Sequence, residues 1–231
     1  MSLISVFLGV STAVLLLRYL KKMPIFREII GSNDGTIYPP LSVIIPACNE
    51  EKSIGEAVRR LMNYYPHLEV IVVIDRSTDN TALLLEKLKV EYPQLKVVTI
   101  SDLPPNWLGK NHAVYRGEKE ATGEWLLFTD ADVMFSSSSL KVTIRYAMEK
   151  NLDHLAIVPD LYYGSVLHRA FLAYFSLAFI SVAMITNKVG VGAFNLVKKS
   201  VYQAIGGYEA IPMQVIDDMS LGTSVVDKGY K

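Results

Sequence analysis

Residues 41–81 read LSVIIPACNEEKSIGEAVRRLMNYYPHLEVIVVIDRSTDNT, and this stretch decides the fold class. Residues 41–45 and 68–74 are short apolar runs rich in Val and Ile, which is typical of buried strands. Between them, residues 52–63 carry apolar side chains at helical spacing, namely Ile54, Val58, Leu61 and Met62. The stretch therefore predicts a strand, a helix and a second strand, which is the unit from which parallel sheets are built.

The same alternation continues as far as residue 129. A helix is predicted from a Ser-Thr-Asp cap at 77–79 to about residue 90, and then come a strand at 96–100, a helix at 111–121 and a strand at 124–129. Strands that alternate with helices in this way form a parallel sheet with both faces covered. We therefore expect an α/β fold with a mostly parallel, Rossmann-like sheet flanked by helices.

The composition excludes several classes of protein. Of the 231 residues, 51% are hydrophobic, and the mean hydropathy is +0.27, which excludes an intrinsically disordered chain. The 23 basic residues balance the 23 acidic residues, so no net positive charge attracts nucleic acid. A single cysteine, Cys48, excludes an internal disulfide and a cluster of thiolates around zinc. A soluble domain with one or two membrane-seeking stretches fits this composition best.

The N-terminus carries a candidate membrane anchor. Residues 3–17 (LISVFLGVSTAVLLL) have no charge, and basic residues follow them directly. A cleaved signal peptide is the rival interpretation, but its charges would precede the apolar run. We expect residues 1–22 to form an uncleaved transmembrane helix that leaves the main body in the cytoplasm, on the side of the basic residues. Residues 23–40 are then a linker that ends in a stretch rich in Gly, Asn, Asp and Pro.

Polar side chains follow three of the predicted strands. Asn49 and Glu50 come after the first strand, Asp75 ends the second, and Asp130 and Asp132 come after the fourth. In open α/β sheets, ligands bind beyond the carboxyl ends of the strands. We therefore expect these carboxylates to meet at one edge of the sheet, where they form the candidate site.

Asp130 and Asp132 also form an Asp-x-Asp pair after the apolar residues WLLF at 125–128. Two carboxylates at this spacing can share one divalent cation, or one can bind the cation and the other a hydroxyl. Mg²⁺ and Mn²⁺ prefer such oxygen ligands and take further ones from substrate phosphates. The chain has no glycine-rich phosphate loop of the dinucleotide or P-loop type, so the usual signatures of those enzymes are missing.

Five motifs in order resemble a glycosyltransferase of family 2, which has the GT-A fold. The motifs are LSVIIPACNEE (41–51), EVIVVIDRSTDNT (69–81), WLGKNHA (107–113), FTDAD (128–132) and VIDDMSLG (215–222). WLGK and the stretch GVGAFNLVKKSVYQAIGGYEAI (190–211) look closest to membrane-associated members that act on lipids. Those members are the hopanoid- and carotenoid-pathway glycosyltransferases and, more distantly, ceramide glucosyltransferase.

The resemblance implies roles in binding a nucleotide-sugar donor. Pro46, Asn49 and Glu50 would line the nucleotide pocket, and Asp75 would accept a hydrogen bond from the base, typically from uracil N3–H. Lys110 would neutralise phosphate, and Asp217 would bind substrate. Positive charge at the diphosphate is what the departure of a nucleoside diphosphate requires.

The resemblance also implies a metal site and a general base. Asp130 would lie beside the ribose and diphosphate, and with Asp132 it would hold a divalent metal, Mg²⁺ or Mn²⁺. Asp218 would deprotonate the acceptor hydroxyl on the opposite face of the sugar, which implies a single displacement with inversion. The chain departs from the family pattern at Ile74, where many members have Asp, and at Asp217, where many have Glu.

The family pattern divides the chain into two subdomains. Residues 41–135 are expected to bind the nucleotide-sugar, and residues 136–231 to form the acceptor side, which ends before the C-terminal helices of the family. Residues 170–187 are uncharged and rich in aromatic residues, so they form a membrane span, a core helix or an interfacial helix. A single span would separate Asp218 from the other acids, so we expect an interfacial helix beside the site, with a core helix as the alternative.

The expected function is therefore transfer of a hexose from a nucleotide-sugar, typically a UDP-sugar, to a lipid or membrane-bound acceptor. A nucleotidyltransferase is one alternative, but it would usually carry a glycine-rich basic loop where this chain has the acidic ACNEEKS (47–53). A non-catalytic scaffold that is tethered to the membrane and binds nucleotides is the other alternative.

Overall fold

The structure is a computed structural model that describes residues 37–63, 65, 67–159, 165–168, 171–172, 176, 186 and 188–231. The chain divides into two compact units, Met1–Arg27 with Tyr163–Thr186 and Glu28–Tyr162 with Asn187–Lys231. In the first unit, Val166 and Leu167 are exposed within a short helical stretch. The second unit contains the sheet and the candidate site.

The two expected membrane elements fall mostly beyond what the structure describes. The predicted anchor at 1–22 lies outside the described residues, and so does nearly all of the predicted interfacial helix at 170–187. Within the described part of the chain, no helix has the length and apolar character needed to cross a bilayer. Both elements therefore stay predictions.

The second unit is built on a six-stranded sheet with the order β3-β2-β1-β4-β6-β5. The strands are β1 Leu41–Ala47, β2 Leu68–Asp75, β3 Lys96–Ile100, β4 Trp125–Phe128, β5 His154–Ala156 and β6 Asn195–Lys198. The first four strands are parallel, whereas β6 runs antiparallel to both β4 and β5. The expectation of a mostly parallel sheet is confirmed. The pattern predicts neither β5 nor β6, because β5 has only three residues (HLA) and β6 (NLVK) has a polar residue at each end, so neither stands out as an apolar run as β4 (WLLF) does.

Helices connect the parallel strands and cover both faces of the sheet. They are α1 Ile54–Met62, α2 Thr81–Glu91, α3 Gly109–Lys119, α4 Ser139–Glu149, α5 Lys199–Ile205 and α6 Asp217–Asp227, with a short 3₁₀ helix at Gly207–Ala210 before α6. The three helices predicted up to residue 129 are confirmed with small differences at their ends. Helix α2 begins only at Thr81, whose backbone N–H donates to Asp79 Oδ1.

The core consists of two apolar layers, one on each face of the sheet. In β1 and β2 successive side chains alternate between the layers, so Val43 and Ile45 face one layer and Ile44 faces the other. The first layer includes residues of α1, α2 and α4, and the second includes residues of α3, α5 and α6. Burial on both faces explains why the parallel strands are almost continuously apolar.

The start of β6 lies at the same edge of the sheet as the carboxyl ends of β1, β2 and β4. Because β6 is antiparallel, its first residue, Asn195, pairs with Phe128 at the end of β4. The chain segment before β6 therefore reaches the same edge as the acids that follow the parallel strands. Helix α6 also belongs to this edge, since Asn195 Nδ2 donates to the backbone carbonyl of Asp218 at 3.4 Å.

Candidate active site

A cavity of about 290 Å³ opens at the carboxyl ends of β1, β2 and β4, and we call it the strand-end cavity. Its lining contains Pro46, Glu50, Asp75, Lys110, Asp130 and Asp132, six of the residues that the sequence assigns to the site. Strand ends supply five of these residues, and the first turn of α3 supplies Lys110. The structure therefore brings together side chains from three strand ends and one helix start.

Asp75 ends β2 with its side chain almost fully buried, and Arg76 covers it. Arg76 Nε donates to Oδ1 at 2.8 Å and Nη2 donates to Oδ2 at 3.0 Å, so both carboxylate oxygens already accept one hydrogen bond. Hydrogen bonding to Asp75 raises the pKa of the Arg76 guanidinium, and the charge of that carboxylate adds to the effect. A ligand N–H at Asp75 must therefore share the carboxylate with Arg76 or displace the guanidinium.

Asn49 is the predicted site residue that lines neither the strand-end cavity nor the narrower cavity that adjoins it. Its backbone has φ of 58°, its N–H donates to Ser77 Oγ, and its Oδ1 accepts from the Thr78 N–H at 2.8 Å. These bonds tie the loop after β1 to the loop after β2. In this structure Asn49 therefore shapes the edge of the site by joining these two loops, through its own N–H and its side-chain oxygen.

Lys110 and Asp130 form an ion pair in the strand-end cavity, with Nζ 2.7 Å from Oδ1. Desolvation lowers the pKa of Lys110, but the charges of Asp130, Asp217 and Asp218 raise it by more, so the net pKa lies above its ordinary value. Lys110 is therefore a permanent cation at the point where three carboxylates converge. Such a charge is suited to neutralise a phosphate group.

Asp130 and Asp132 are the residues of this edge that could hold a divalent cation. Asp132 is exposed and lines the cavity beside Asp130. No cluster of three or more His, Cys, Asp or Glu suited to a metal occurs among the described residues. Mg²⁺ commonly binds through one or two carboxylates plus substrate phosphates, so the donor set fits a cation that arrives with a diphosphate.

A second, narrow cavity adjoins the first and contains the acid pair that begins α6. The two cavities share Pro46, Lys110 and Asp130, and the second is also lined by Asp217 and Asp218. All eight of the assigned residues other than Asn49 therefore line one continuous site. The sequence alone could not establish this junction, because Asp218 follows Asp130 by 88 positions.

Asp217 is buried and accepts a hydrogen bond from the Tyr208 hydroxyl, whose oxygen is 2.8 Å from Oδ2. The Tyr208 backbone N–H in turn donates to the Tyr202 hydroxyl at 3.0 Å. Burial raises the pKa of Tyr208 well above its ordinary value, and the nearby charge of Asp217 adds to this, so the phenol stays a donor. Sequence reasoning does not identify Tyr208, although it lies in the resembling stretch at 190–211.

Asp218 is partly buried and lies beside a second carboxylate. Burial raises its pKa above the ordinary value, and the charge of Asp217 adds to this effect. Backbone N–H groups of Met219 and Gly192 and the charge of Lys110 act in the opposite direction. A carboxylate with a raised pKa is a stronger proton acceptor than one in water, which is what abstraction of a proton from a hydroxyl requires.

Two glycines before β6 allow the backbone to approach the acid pair. A Cβ at Gly190 would overlap the backbone carbonyl of Asp218, so residue 190 packs directly on the first turn of α6. A Cβ at Gly192 would lie 3.0 Å from Asp130 Oδ2 and 3.3 Å from Lys110 Nζ. The segment before β6 therefore packs directly against Asp218 and beside the ion pair of Lys110 and Asp130, and its glycines are a sequence signal whose partner the sequence does not identify.

The sequence matches Glycosyl transferase family 2 over residues 42–206. Among curated proteins it is similar to the 4,4'-diaponeurosporenoate glycosyltransferase of Staphylococcus aureus, with 27% identity over 194 residues, or 80% of this chain and 50% of that protein. The chain thus spans about half the length of the curated relatives that it matches.

Among solved structures, the chain is similar to the mannosyltransferase PcManGT of Pyrobaculum calidifontis, which was solved with GDP-Man and Mn²⁺. That likeness has a TM-score of 0.68 at 21% identity and covers 95% of this chain and 61% of that one. S. aureus TarS 1-349 with UDP-GlcNAc has a TM-score of 0.56 at 23% identity, over 80% and 52% of the two chains. At these identities the likeness shows a shared GT-A-like α/β fold.

Proposed function

The chain belongs to glycosyltransferase family 2, and on this premise we propose that it is an inverting enzyme that transfers a hexose from a nucleotide-sugar to the hydroxyl of a lipid or membrane-associated acceptor. The observation that carries the proposal is the junction of the two cavities at Lys110 and Asp130. A donor in the strand-end cavity has its diphosphate beside Lys110 and its sugar directed toward Asp218.

The strand-end cavity offers a contact for each part of a nucleoside diphosphate. Asp75 suits a base N–H, because it is a buried acceptor at the tip of β2. Arg76 already donates to both carboxylate oxygens of Asp75. Guanine presents two N–H groups side by side, so a base with a single N–H on its pairing edge suits this acceptor better. A UDP-sugar is therefore the donor that we propose.

Asp130 and Asp132 would hold a divalent cation, Mg²⁺ or Mn²⁺, together with the diphosphate. When bound, the cation supplies positive charge that stabilises the departing diphosphate. Lys110 adds a second positive charge beside Asp130, and its raised pKa keeps it protonated. The similar PcManGT was solved in complex with Mn²⁺ as well as GDP-Man, which supports a cation of this kind.

The chemical step is a single displacement at the anomeric carbon. Asp218 takes the proton of the acceptor hydroxyl, and the acceptor oxygen forms a bond to the anomeric carbon. The bond from that carbon to the diphosphate oxygen breaks, and the electron pair leaves with the nucleoside diphosphate. Because one base acts on the face opposite the leaving group, the anomeric configuration is inverted.

The acceptor and the location follow from different observations. The curated relative is named for an apolar carotenoid acid, which supports a lipid acceptor for this chain. The uncharged run at 3–17, with basic residues after it, supports an N-terminal anchor that holds the catalytic unit on the cytoplasmic side. We propose that the run at 170–187 lies in the membrane interface beside the site.

Calorimetry with UDP and Mn²⁺ on two site variants tests the proposal. Asp132→Ala should weaken UDP binding in the presence of Mn²⁺, whereas Asp218→Asn should leave UDP binding intact and abolish transfer. Asp102→Ala is the matched control, because Asp102 is an exposed acid after β3 and lies outside both cavities. Transfer is measured by product mass, with a panel of nucleotide-sugars on membranes that contain the full chain.

The outcomes separate the proposal from its alternatives. A wild-type chain that binds UDP with Mn²⁺ but transfers no sugar from any donor of the panel would point to the non-catalytic scaffold that binds nucleotides. A wild-type chain that does not bind UDP with Mn²⁺ would overturn the proposed donor site. Equal loss of UDP affinity in Asp132→Ala and Asp218→Asn would mean that the two acids do not have the separate roles proposed here.

A further inference from the structure

The loop that leads into α6 exposes large apolar side chains beside the candidate base. Met213, Val215 and Ile216 are 54%, 82% and 63% exposed, and we call these three residues the apolar lip. The loop at 211–216 reads IPMQVI and contains no charged residue. Scattered single apolar residues are common on protein surfaces, but three within four positions next to a site call for an explanation.

Hydrogen bonds from α3 hold the backbone of this loop in place. Asn111 is buried, and its Nδ2 lies 3.0, 3.2 and 2.9 Å from the carbonyl oxygens of Ile211, Pro212 and Gln214. The Leu108 N–H also donates to the Pro212 carbonyl at 3.0 Å. The backbone is therefore held at Ile211, Pro212 and Gln214, and in this arrangement the side chains of the lip are exposed.

The lip lies next to Asp218 by covalent geometry alone. Ile216 precedes Asp217, the first residue of α6, and is separated from Asp218 by two peptide units, so their Cα atoms lie within about 7.6 Å. A molecule whose hydroxyl reaches the Asp218 carboxylate therefore has its next few carbon atoms within reach of the lip.

We propose that the apolar lip holds the hydrocarbon part of the acceptor while its hydroxyl meets Asp218. This inference rests on the proposed function. The surface of three side chains is far smaller than the area of about 800 Å² per partner that a stable protein interface needs, but it suits a single hydrocarbon chain. The absence of charge in 211–216 also suits a hydrocarbon chain. The acceptor class is thus an alcohol whose apolar chain begins close to the reacting oxygen.

Photolabelling with 1-dodecanol that carries a diazirine a few carbon atoms from its hydroxyl tests the lip directly. The full chain, saturated with UDP and Mn²⁺, is irradiated and the labelled peptides are mapped by mass spectrometry. We expect labelling of the peptide that contains residues 211–220. The double variant Met213→Ser/Val215→Ser should lower this labelling about tenfold, since apolar contact with the chain is lost.

A matched control uses exposed apolar residues on α2. Leu83 and Val90 are 55% and 85% exposed, close to the values of the two substituted lip residues. The double variant Leu83→Ser/Val90→Ser should label residues 211–220 as the wild type does. Equal labelling of α2 and the lip in the wild type, or unchanged labelling in the lip variant, would overturn the inference.

Measurement of UDP binding shows whether a negative labelling result rejects only the inference about the lip or also the proposed function. Calorimetry with UDP and Mn²⁺ should give the same affinity for the wild type and for the lip variant, because neither Met213 nor Val215 lines the strand-end cavity. Normal UDP binding with no preferential labelling would reject the lip alone. Absence of UDP binding in the wild type would reject the proposed function itself.

Discussion

Substitution of Gly190 by Ala should displace Asp218 while the sheet stays folded. The added Cβ would lie about 1 Å too close to the backbone carbonyl of Asp218. The groups that it meets, in Asp218 and Met219, are backbone and cannot turn aside as a flexible side chain could. The first turn of α6 must therefore move by a similar amount. A misplacement of about 1 Å at a reacting group can cost about 100-fold in rate, so we expect kcat to fall by about that factor.

The stability cost of this substitution is small enough for the fold to persist. Overpacking typically costs about 1–3 kcal/mol, and because the overlapped groups here are backbone we expect a loss at the upper end of that range or somewhat above it, whereas domains are stable by about 5–15 kcal/mol. The strand-end cavity does not include Gly190, so UDP affinity in the presence of Mn²⁺ should stay within about twofold of the wild type. Turnover, calorimetry with UDP and thermal unfolding followed by circular dichroism measure the three effects separately.

Gly55→Ala is the control for the loss of a glycine as such. A Cβ at Gly55 meets only Arg59 Nη1 at 3.6 Å, an ordinary contact, and Gly55 lies inside α1. Alanine favours a helix by about 1 kcal/mol over glycine, so this variant should be at least as stable as the wild type and equally active. A Gly190→Ala enzyme with wild-type kcat would refute the reasoning that this contact positions the base.

Two further predictions concern Tyr208 and Asp217, the residues next to Asp218 in the narrow cavity. Tyr208→Phe removes a buried hydrogen bond to the Asp217 carboxylate and should lower the free energy of unfolding by about 1.5–3 kcal/mol and also reduce kcat. Tyr202→Phe removes a hydroxyl from the same aromatic cluster without touching Asp217, so chemical denaturation should show a loss of stability with kcat preserved. If kcat falls equally in both variants, Tyr208 acts through packing and not through its hydrogen bond to Asp217. Burial and the charge of Asp217 raise the pKa of Asp218, and activity needs its unprotonated form, so kcat/KM should fall as the pH drops through that pKa. Asp217→Asn removes the like charge and should move this acid limb to lower pH, and an unmoved limb would contradict the assignment of Asp218 as the base.

Local patterns predicted the strand-end part of the site, because those residues sit at the ends of regular elements, whereas Pro46, Lys110, Asp217 and Asp218 came from the resemblance to the family. Asp75, Asp130 and Asp132 follow apolar strands, and parallel strands deliver their carboxyl ends to one edge. The same reasoning placed Asn49 at this edge, and the resemblance implied that it lines the nucleotide pocket. In the structure its side chain bonds the backbone of the next loop. Hydrogen bonds of that kind leave no periodic signal in the sequence.

Tyr208, Asn111 and Gly190 could not be assigned from the sequence, because their partners are distant along the chain or depend on close packing. Asn111 bonds a loop 100 or more positions away, and nothing in its neighbourhood specifies that loop. Gly190 has meaning only beside the backbone of Asp218. Each of the three acts by positioning the loop or helix that carries the acid pair.

The sequence by itself determined the order of strands and helices from residue 41 to 129, since side-chain periodicity is a local property of the chain. It also determined which acids end the parallel strands and which motifs resemble the family. Only the tertiary structure decided that α6 brings Asp218 to Lys110 and Asp130, since this depends on the antiparallel β6 and on glycine contacts before it. The physical reason is that such contacts arise from packing between segments far apart in the chain, where no local pattern records the partner.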